Sequence, residues 1–185
     1  MIPVMMHADE EAAMREIVGT LPDETTIVEW GAGGSTIMFA DLLGPKQHLI
    51  TIEHKHEWFQ NVRAELAEHP NRNRVTVLMI PLSFPIEVWQ FARPEEETGA
   101  GASKYICGPE FLWKDHPQWS SVGLVLVDGI ARGPCLASLR TKVSPQTRIF
   151  LHDYTGREVW YDWAANLYER VGLTNMLLEL RVPIA

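Results

Sequence analysis

Sulfur bridges and positive charge are what this 185-residue chain has least of. Its two cysteines, Cys107 and Cys135, are too few and too far apart for a disulfide framework or a zinc knuckle. Cys135 falls on a helical face that reads as buried, where a free thiol behaves as a small hydrophobe. Two reduced thiols fit a cytoplasmic protein. Lys and Arg number 16 against 24 Asp and Glu, a formal net charge of -8. Binding along a phosphate backbone needs clustered cations. The small basic turn of His69, Arg72 and Arg74 reads instead as a solvated loop, so no nucleic-acid partner is expected. No apolar run is long enough to span a bilayer. Met1 to Met6 is apolar but short, lacks a basic n-region and runs into Asp9, Glu10 and Glu11, so it reads as neither signal peptide nor membrane span.

What is present is ordinary globular material, 46% hydrophobic and 22% charged. That length suits one domain over 1–185 with a continuous core. Ala12, Ala13, Ile17 and Val18 recur at helical spacing within Ala8 to Gly19. Thr26 to Trp30 reads as a strand and Ser35 to Leu43 as a helix closed by Gly44 and Pro45. His48 to Ile52 is a second strand. Trp58, Phe59, Val62 and Leu66 mark a helix ending before Pro70, and Arg74 to Ile80 is a third strand. Val122 to Val127 is an unbroken apolar run, typical of a strand buried on both faces. A helix through Cys135, Leu136, Leu139 and Val143 follows, then a strand at Arg148 to Leu151. Trp160 to Val171 reads as a helix and Met176 to Val182 as a final strand. No internal repeat is visible. Strands alternating with helices predict an α/β, doubly wound and mostly parallel sheet. Its ligands belong in the loops after the strands.

The first such loop reads Glu29-Trp30-Gly31-Ala32-Gly33-Gly34-Ser35-Thr36. Glycines let the chain turn sharply and a ligand approach closely, and the helix that opens there presents free N–H groups. Glu53 follows about twenty residues past this turn, where an acid can accept bonds from both ribose hydroxyls. A nucleoside ligand is therefore expected. Thr36 stands where a dinucleotide fingerprint wants its third glycine, and no Gly-Lys-Ser/Thr follows for a P-loop. The pattern resembles the first motif of the class I S-adenosylmethionine (SAM)-dependent methyltransferases, an acid, any residue, Gly, any residue, Gly. Here it is carried by Glu29, Gly31 and Gly33, with Glu53 at the family's ribose-binding acid. The resemblance implies a Rossmann-like methyltransferase fold with S-adenosyl-L-methionine as cofactor. It places Glu29 near the methionine part and Gly31, Ala32, Gly33, Gly34 and Ser35 beneath the cofactor. His54 and His56 would lie at the adenosine edge, with His54 counted among the contacts.

Two later loops add ionisable groups. Val127-Asp128-Gly129 and Leu151-His152-Asp153-Tyr154 resemble a subset of small class I methyltransferases carrying Val-Asp-Gly, a downstream Arg, and Leu-His-Asp-Tyr with Arg and Tyr beyond. The matching residues are Asp128, Arg132, His152, Asp153, Tyr154, Arg157 and Tyr161. Methyl transfer needs an aligned oxygen or nitrogen and, for a hydroxyl, loss of its proton. His152 is the expected base because its intrinsic pKa is near neutral. Asp128 or Asp153 could orient it or take the proton through water, and Asp128 also faces the cofactor. Asp128 with Asp153 could instead hold Mg²⁺, but Tyr154 stands where such relatives carry Asn, and no metal is expected.

Pro81 to Trp119 is long for a connection between strands and rich in aromatics. It is expected to insert between the third and fourth strands, with Tyr105 to Trp119 closing over the site and Gly99 to Ser103 as hinge. Ser83 is a candidate adenine contact. The C-terminus shows one strand where the family has an antiparallel pair, so the sheet is expected to lack a strand or to offer its edge to a homodimer partner. The expected function is methyl transfer to an oxygen or nitrogen of a small molecule or peptide. The rivals are a methyltransferase-like nucleoside-binding protein without turnover and, against Thr36, a nicotinamide oxidoreductase.

Overall fold

The computed structural model describes residues 2–82, 100–112 and 119–184. Seven strands form one sheet: β1 (Thr26–Trp30), β2 (His48–Glu53), β3 (Val75–Met79), β4 (Val122–Val127), β5 (Arg148–Leu151), β6 (Glu169–Thr174) and β7 (Leu177–Arg181). Their spatial order is β3-β2-β1-β4-β5-β7-β6. The first five run parallel, while β7 is antiparallel to both β5 and β6. The helices are α1 (Ala8–Gly19), α2 (Gly34–Leu42), α3 (His56–Leu66), α4 (Ala100–Cys107), α5 (Arg132–Leu139) and α6 (Glu158–Ala165). Among the described residues no helix is long and apolar enough to cross a membrane.

Strand parity divides the core, because successive side chains point to opposite faces. Ile27, Leu124, Leu126 and Phe150 pack with Met14, Ile17 and Val18 of α1 and with Met38 and Phe39 of α2. Val28, Trp30, Val125, Val127, Ile149 and Leu151 pack on the other face with Tyr105 of α4, Cys135, Leu136 and Leu139 of α5, and Tyr161 of α6. The same parity carries Glu29, Asp128 and His152 onto the α1 and α2 side at the carboxyl ends of β1, β4 and β5. β1 and β4 are neighbours, whereas the chain leaves β1 first for β2 and β3. The switch in strand order thus lies between β1 and β4, where open sheets leave a crevice.

Two expectations need correction. The sheet lacks no C-terminal strand. The helix expected to reach Val171 stops at Ala165, and Glu169–Thr174 forms β6. Apolar residues at Trp160, Ala164 and Val171 mimic a helical period, but Val171-Gly172-Leu173-Thr174 has poor helix formers and pairs with β7 instead. The hairpin turns at Asn175, which takes φ 54, a conformation Asn tolerates better than most residues, and sets Thr174 opposite Leu177. The second correction concerns the insertion. Its supposed hinge lies largely inside α4, whose backbone is helical from Ala100. Tyr105 is fully buried, and its carbonyl accepts the Trp30 Nε1–H at 2.8 Å, so this part of the insertion belongs to the core rather than to a lid. Residues 83–99 and 113–118 fall outside the described residues.

Leu126 on the central strand is wholly buried, whereas Leu173 on the edge strand β6 is 54% exposed. Leu126→Ala is expected to cost about 2–5 kcal/mol and Leu173→Ala less than about 0.5 kcal/mol. The midpoints of urea unfolding, with an unchanged denaturant slope, check the difference.

Candidate functional site

The chain leaves β1 through Gly31 at φ 99, a left-handed conformation that an L side chain resists. A Cβ there would also sit 2.8 Å from the Gly129 nitrogen. A Cβ on Gly129 would in turn overlap the Tyr105 hydroxyl. The loops after β1 and β4 therefore touch backbone to backbone. Beneath the bend lies Glu29, fully buried. Ser35 Oγ donates to its Oε1 at 2.5 Å and Thr36 Oγ1 to its Oε2 at 2.6 Å, while Thr36 Oγ1 accepts the Gly33 N–H at 2.9 Å. The first turn of α2 is thereby tied to β1 through one carboxylate. Burial pushes that carboxyl up to about 7, against the lowering effect of the neighbouring hydroxyls.

Glu53 ends β2 and turns its carboxylate towards the glycine bend. Oε2 accepts the Ala32 N–H at 2.9 Å, and Oε1 accepts the N–H groups of His54 and Lys55, both at 2.7 Å. A carboxylate has roughly four acceptor positions. Three are filled by backbone, which leaves one on Oε2 for a ligand hydroxyl. His54 Nδ1 lies 3.0 Å from Glu53 Oε1 but out of line for a hydrogen bond, and both buried ring nitrogens lack a hydrogen-bond partner, which is costly for buried polar atoms.

A cavity of about 370 Å³ opens at this point, lined by Gly31 to Ser35, Glu53 to Lys55, Trp58, Asp128 to Ile130, Met5 and Met6. Ligand pockets span roughly 300–1,000 Å³. Its walls are the carboxyl ends of β1, β2 and β4, at the switch point.

Behind Asp128 stands a knot of charge. His152 Nδ1 lies 2.8 Å from Asp128 Oδ1 and 3.8 Å from Asp153 Oδ1, and its Nε2 lies 3.3 Å from Glu10 Oε2. Carboxylates on both sides favour a ring that donates from both nitrogens, the imidazolium form. Burial alone would lower the His152 pKa, but the bond to Asp128 and the charges of Asp128, Asp153 and Glu10 outweigh it and raise it. Arg132 joins the two aspartates, Nη2 to Asp128 Oδ1 at 3.2 Å and Nη1 to Asp153 Oδ2 at 3.0 Å. It also donates to the carbonyls of Gly129, His152 and Asp128. Arg157 reaches Asp153 Oδ2 at 3.0 Å. Burial would raise Asp153, yet Arg132, His152 and Arg157 hold it below the usual carboxylate range.

Asp128, His152 and Asp153 bring potential ligand atoms within 4.8 Å of one another. Here the Arg132 guanidinium bridges the two carboxylates, so the three groups form part of an ion-pair cluster.

No family model matches the chain, and no curated protein matches its sequence. Solved structures do match its shape. A methyltransferase-like protein from Silicibacter pomeroyi superposes with a TM-score of 0.73 at 22% identity, over 100% of this chain and 91% of that one. An RNA methyltransferase from Salinibacter ruber, in complex with S-adenosyl-L-homocysteine (SAH), gives 0.53 at 17% identity over 97% and 94%. A SAM-dependent O-methyltransferase from Thermotoga maritima gives 0.61 at 9% identity over 99% and 68%. The fold is that of the class I SAM-dependent methyltransferases.

Within this methyltransferase fold the residues singled out in the sequence divide. Gly31, Ala32, Gly33, Gly34, Ser35, Glu53, His54 and Asp128 line the cavity. Glu29, expected near the methionine part, lies under the bend with no exposed surface and accepts from Ser35 and Thr36 of the loop. His152, expected as a base, has both nitrogens engaged, and with Asp153 it stands behind Asp128 rather than on the wall. His56 opens α3 as an exposed residue beside Gln60. Ser83 lies outside the described residues. Sequence reasoning missed Glu10, Tyr105, Met5, Met6 and Trp58. The only local signal for Glu10 is its place three residues after His7, whose N–H it accepts at 2.8 Å.

Raised folded-state pKa values on Glu29 and His152 have one sign. Each group holds a proton in the fold that the unfolded chain has released, so stability is full below the unfolded pKa and falls as pH rises through the folded one. For Glu29 that window runs from 4.5 to about 7, on the order of 3 kcal/mol. Glu29→Gln is expected to remove this fall, which chemical denaturation of both proteins across that range measures. His152→Gln is expected to remove a further fall above the ordinary histidine range.

Proposed function

We propose that this chain is a SAM-dependent methyltransferase acting on an oxygen or nitrogen of a small molecule or peptide group. The observation that carries the reading is the cavity at the switch point, where one wall is a bend with no Cβ at Gly31, Gly33 or Gly34 and the other offers Glu53 with a single acceptor position left. Gly31 to Ser35 supply close approach, Glu53 takes a ribose hydroxyl, and His54 lines the nucleoside end of the cavity. When bound, the cofactor supplies an electrophilic methyl group on a sulfonium. Of the three acidic and imidazole groups expected in catalysis, Asp128 is the one on the wall. It orients the acceptor by accepting its O–H or N–H, while His152, Arg132 and Asp153 fix Asp128 in place.

The acceptor class follows from charge. Among the described residues lining the cavity Lys55 is the single permanently cationic side chain, and the whole chain is at -8. A polyanionic backbone would meet repulsion with little to offset it. RNA is therefore the less favoured acceptor, although the structures of similar shape include proteins named as an rRNA methylase and an RNA methyltransferase. The reading without turnover draws support from one observation, the engagement of both His152 nitrogens, and conversion of SAM to SAH with any acceptor would dismiss it.

Calorimetric titration with SAH is expected to show saturable binding that Glu53→Ala weakens at least about tenfold, a loss of about 1.4 kcal/mol. An unchanged affinity in a folded Glu53→Ala protein would contradict the assignment.

A further inference from the structure

Residues 2–6 cross the mouth of α2 as a strap. A Cβ on Gly34 would overlap the Pro3 carbonyl and approach the Val4 nitrogen, so the strap backbone lies directly on the glycine loop. Its side chains alternate. Ile2 packs with Ala32, Ala40, Val62 and Leu66 between α2 and α3, and Val4 and Met6 pack with the α1 and α2 face of the core. Met5 points away from that core, is 73% exposed, and lines the cavity together with Met6.

The strap is held at both ends. On one side Pro3 and Val4 rest on Gly34. On the other, the His7 N–H donates to Glu10 Oε2 at 2.8 Å, and the same oxygen meets His152 Nε2, whose Nδ1 holds Asp128. Glu10 Oε1 accepts the Met176 N–H at 2.7 Å, which ties the start of α1 to the β6–β7 hairpin as well. Met5 and Met6 are thereby suspended between the glycine loop and Asp128. The opposite end of the same loop is marked by Ala32, whose N–H is on Glu53.

We infer that Met5 and Met6 are binding residues for the sulfur and amino-acid end of a SAM-type ligand, a wall that a nucleoside lacking that end does not reach. This rests on the proposed cofactor reading. If Glu53 holds the ribose, the substituent on the sugar must run along Gly31 to Ser35 towards Gly34, where the strap crosses. Met5 leaves apolar surface open on the cavity wall that a ligand there would cover. Its unbranched, polarizable chain adapts to an irregular alkyl–sulfur group better than a branched residue would.

The test uses two probes, SAH and adenosine, with the wild type and a Met5→Ala, Met6→Ala double variant. Calorimetry is expected to show SAH weakened about tenfold in the variant and adenosine unchanged. In the wild type, oxidation by dilute hydrogen peroxide, read by mass spectrometry, is expected to slow at Met5 and Met6 with SAH but not with adenosine. Met176, away from the cavity, serves as the internal reference. Equal losses for both probes would overturn the inference by pointing to a general loosening of the loop. Unchanged SAH affinity, or SAH binding without protection of Met5 and Met6, would overturn it while leaving the cofactor reading intact. Failure of SAH to bind the wild type would overturn the cofactor reading and this inference with it.

Discussion

The contact on which the site depends is the crossing of two backbones at Gly31 and Gly129 with no side chain between them. Parallel strands bring the loops after β1 and β4 together, and a Cβ on either residue would push them apart. Because β1 and β4 part company in sequence at this point, one loop leads to α2 and the other to α5, and the space between them is the cavity. Tyr105 packs against the crossing, its hydroxyl set where a side chain on Gly129 would be. The geometry is thus imposed by the core on one side and by missing atoms on the other.

Buried carboxylates then fix what the crossing leaves free. Glu29 gathers Ser35 and Thr36 and so orients the first turn of α2. Glu53 gathers three backbone N–H groups and locks the turn from β2 into α3 against the bend. Asp128 is held through His152 and Arg132. Each of these acids is satisfied mainly by the protein itself, which makes the site rigid before any ligand is present. Rigidity of this kind limits direct chemistry. A ring held between carboxylates and an aspartate paired with the Arg132 guanidinium serve better to position than to shuttle protons.

Much of this was legible in the sequence where the signal is local. The β1–glycine–α2 unit and Glu53 are written in adjacent residues, and the apolar run at Val122 to Val127 announces a central strand. Asp128, Arg132, His152 and Asp153 could be named as a group, but their wiring could not, since Arg132 and His152 meet only in the fold. Glu10 is 142 residues from His152 and reads in sequence as one more charge on an amphipathic helix. Tyr105 sits in an insertion whose composition suggests a lid, and only tertiary packing turns it inward. The β6–β7 hairpin was hidden because Trp160 to Val171 carries a helical period that sheet pairing overrides, the usual way tertiary context defeats propensity.

A crystal structure of the protein grown with SAH tests the central claim most directly. The account predicts SAH in the cavity, its sugar within hydrogen-bonding distance of Glu53 Oε2 and its sulfur beyond the Gly31–Gly34 bend towards Asp128. SAH bound elsewhere on the molecule, or lying in the cavity with its sugar turned away from Glu53, would contradict it.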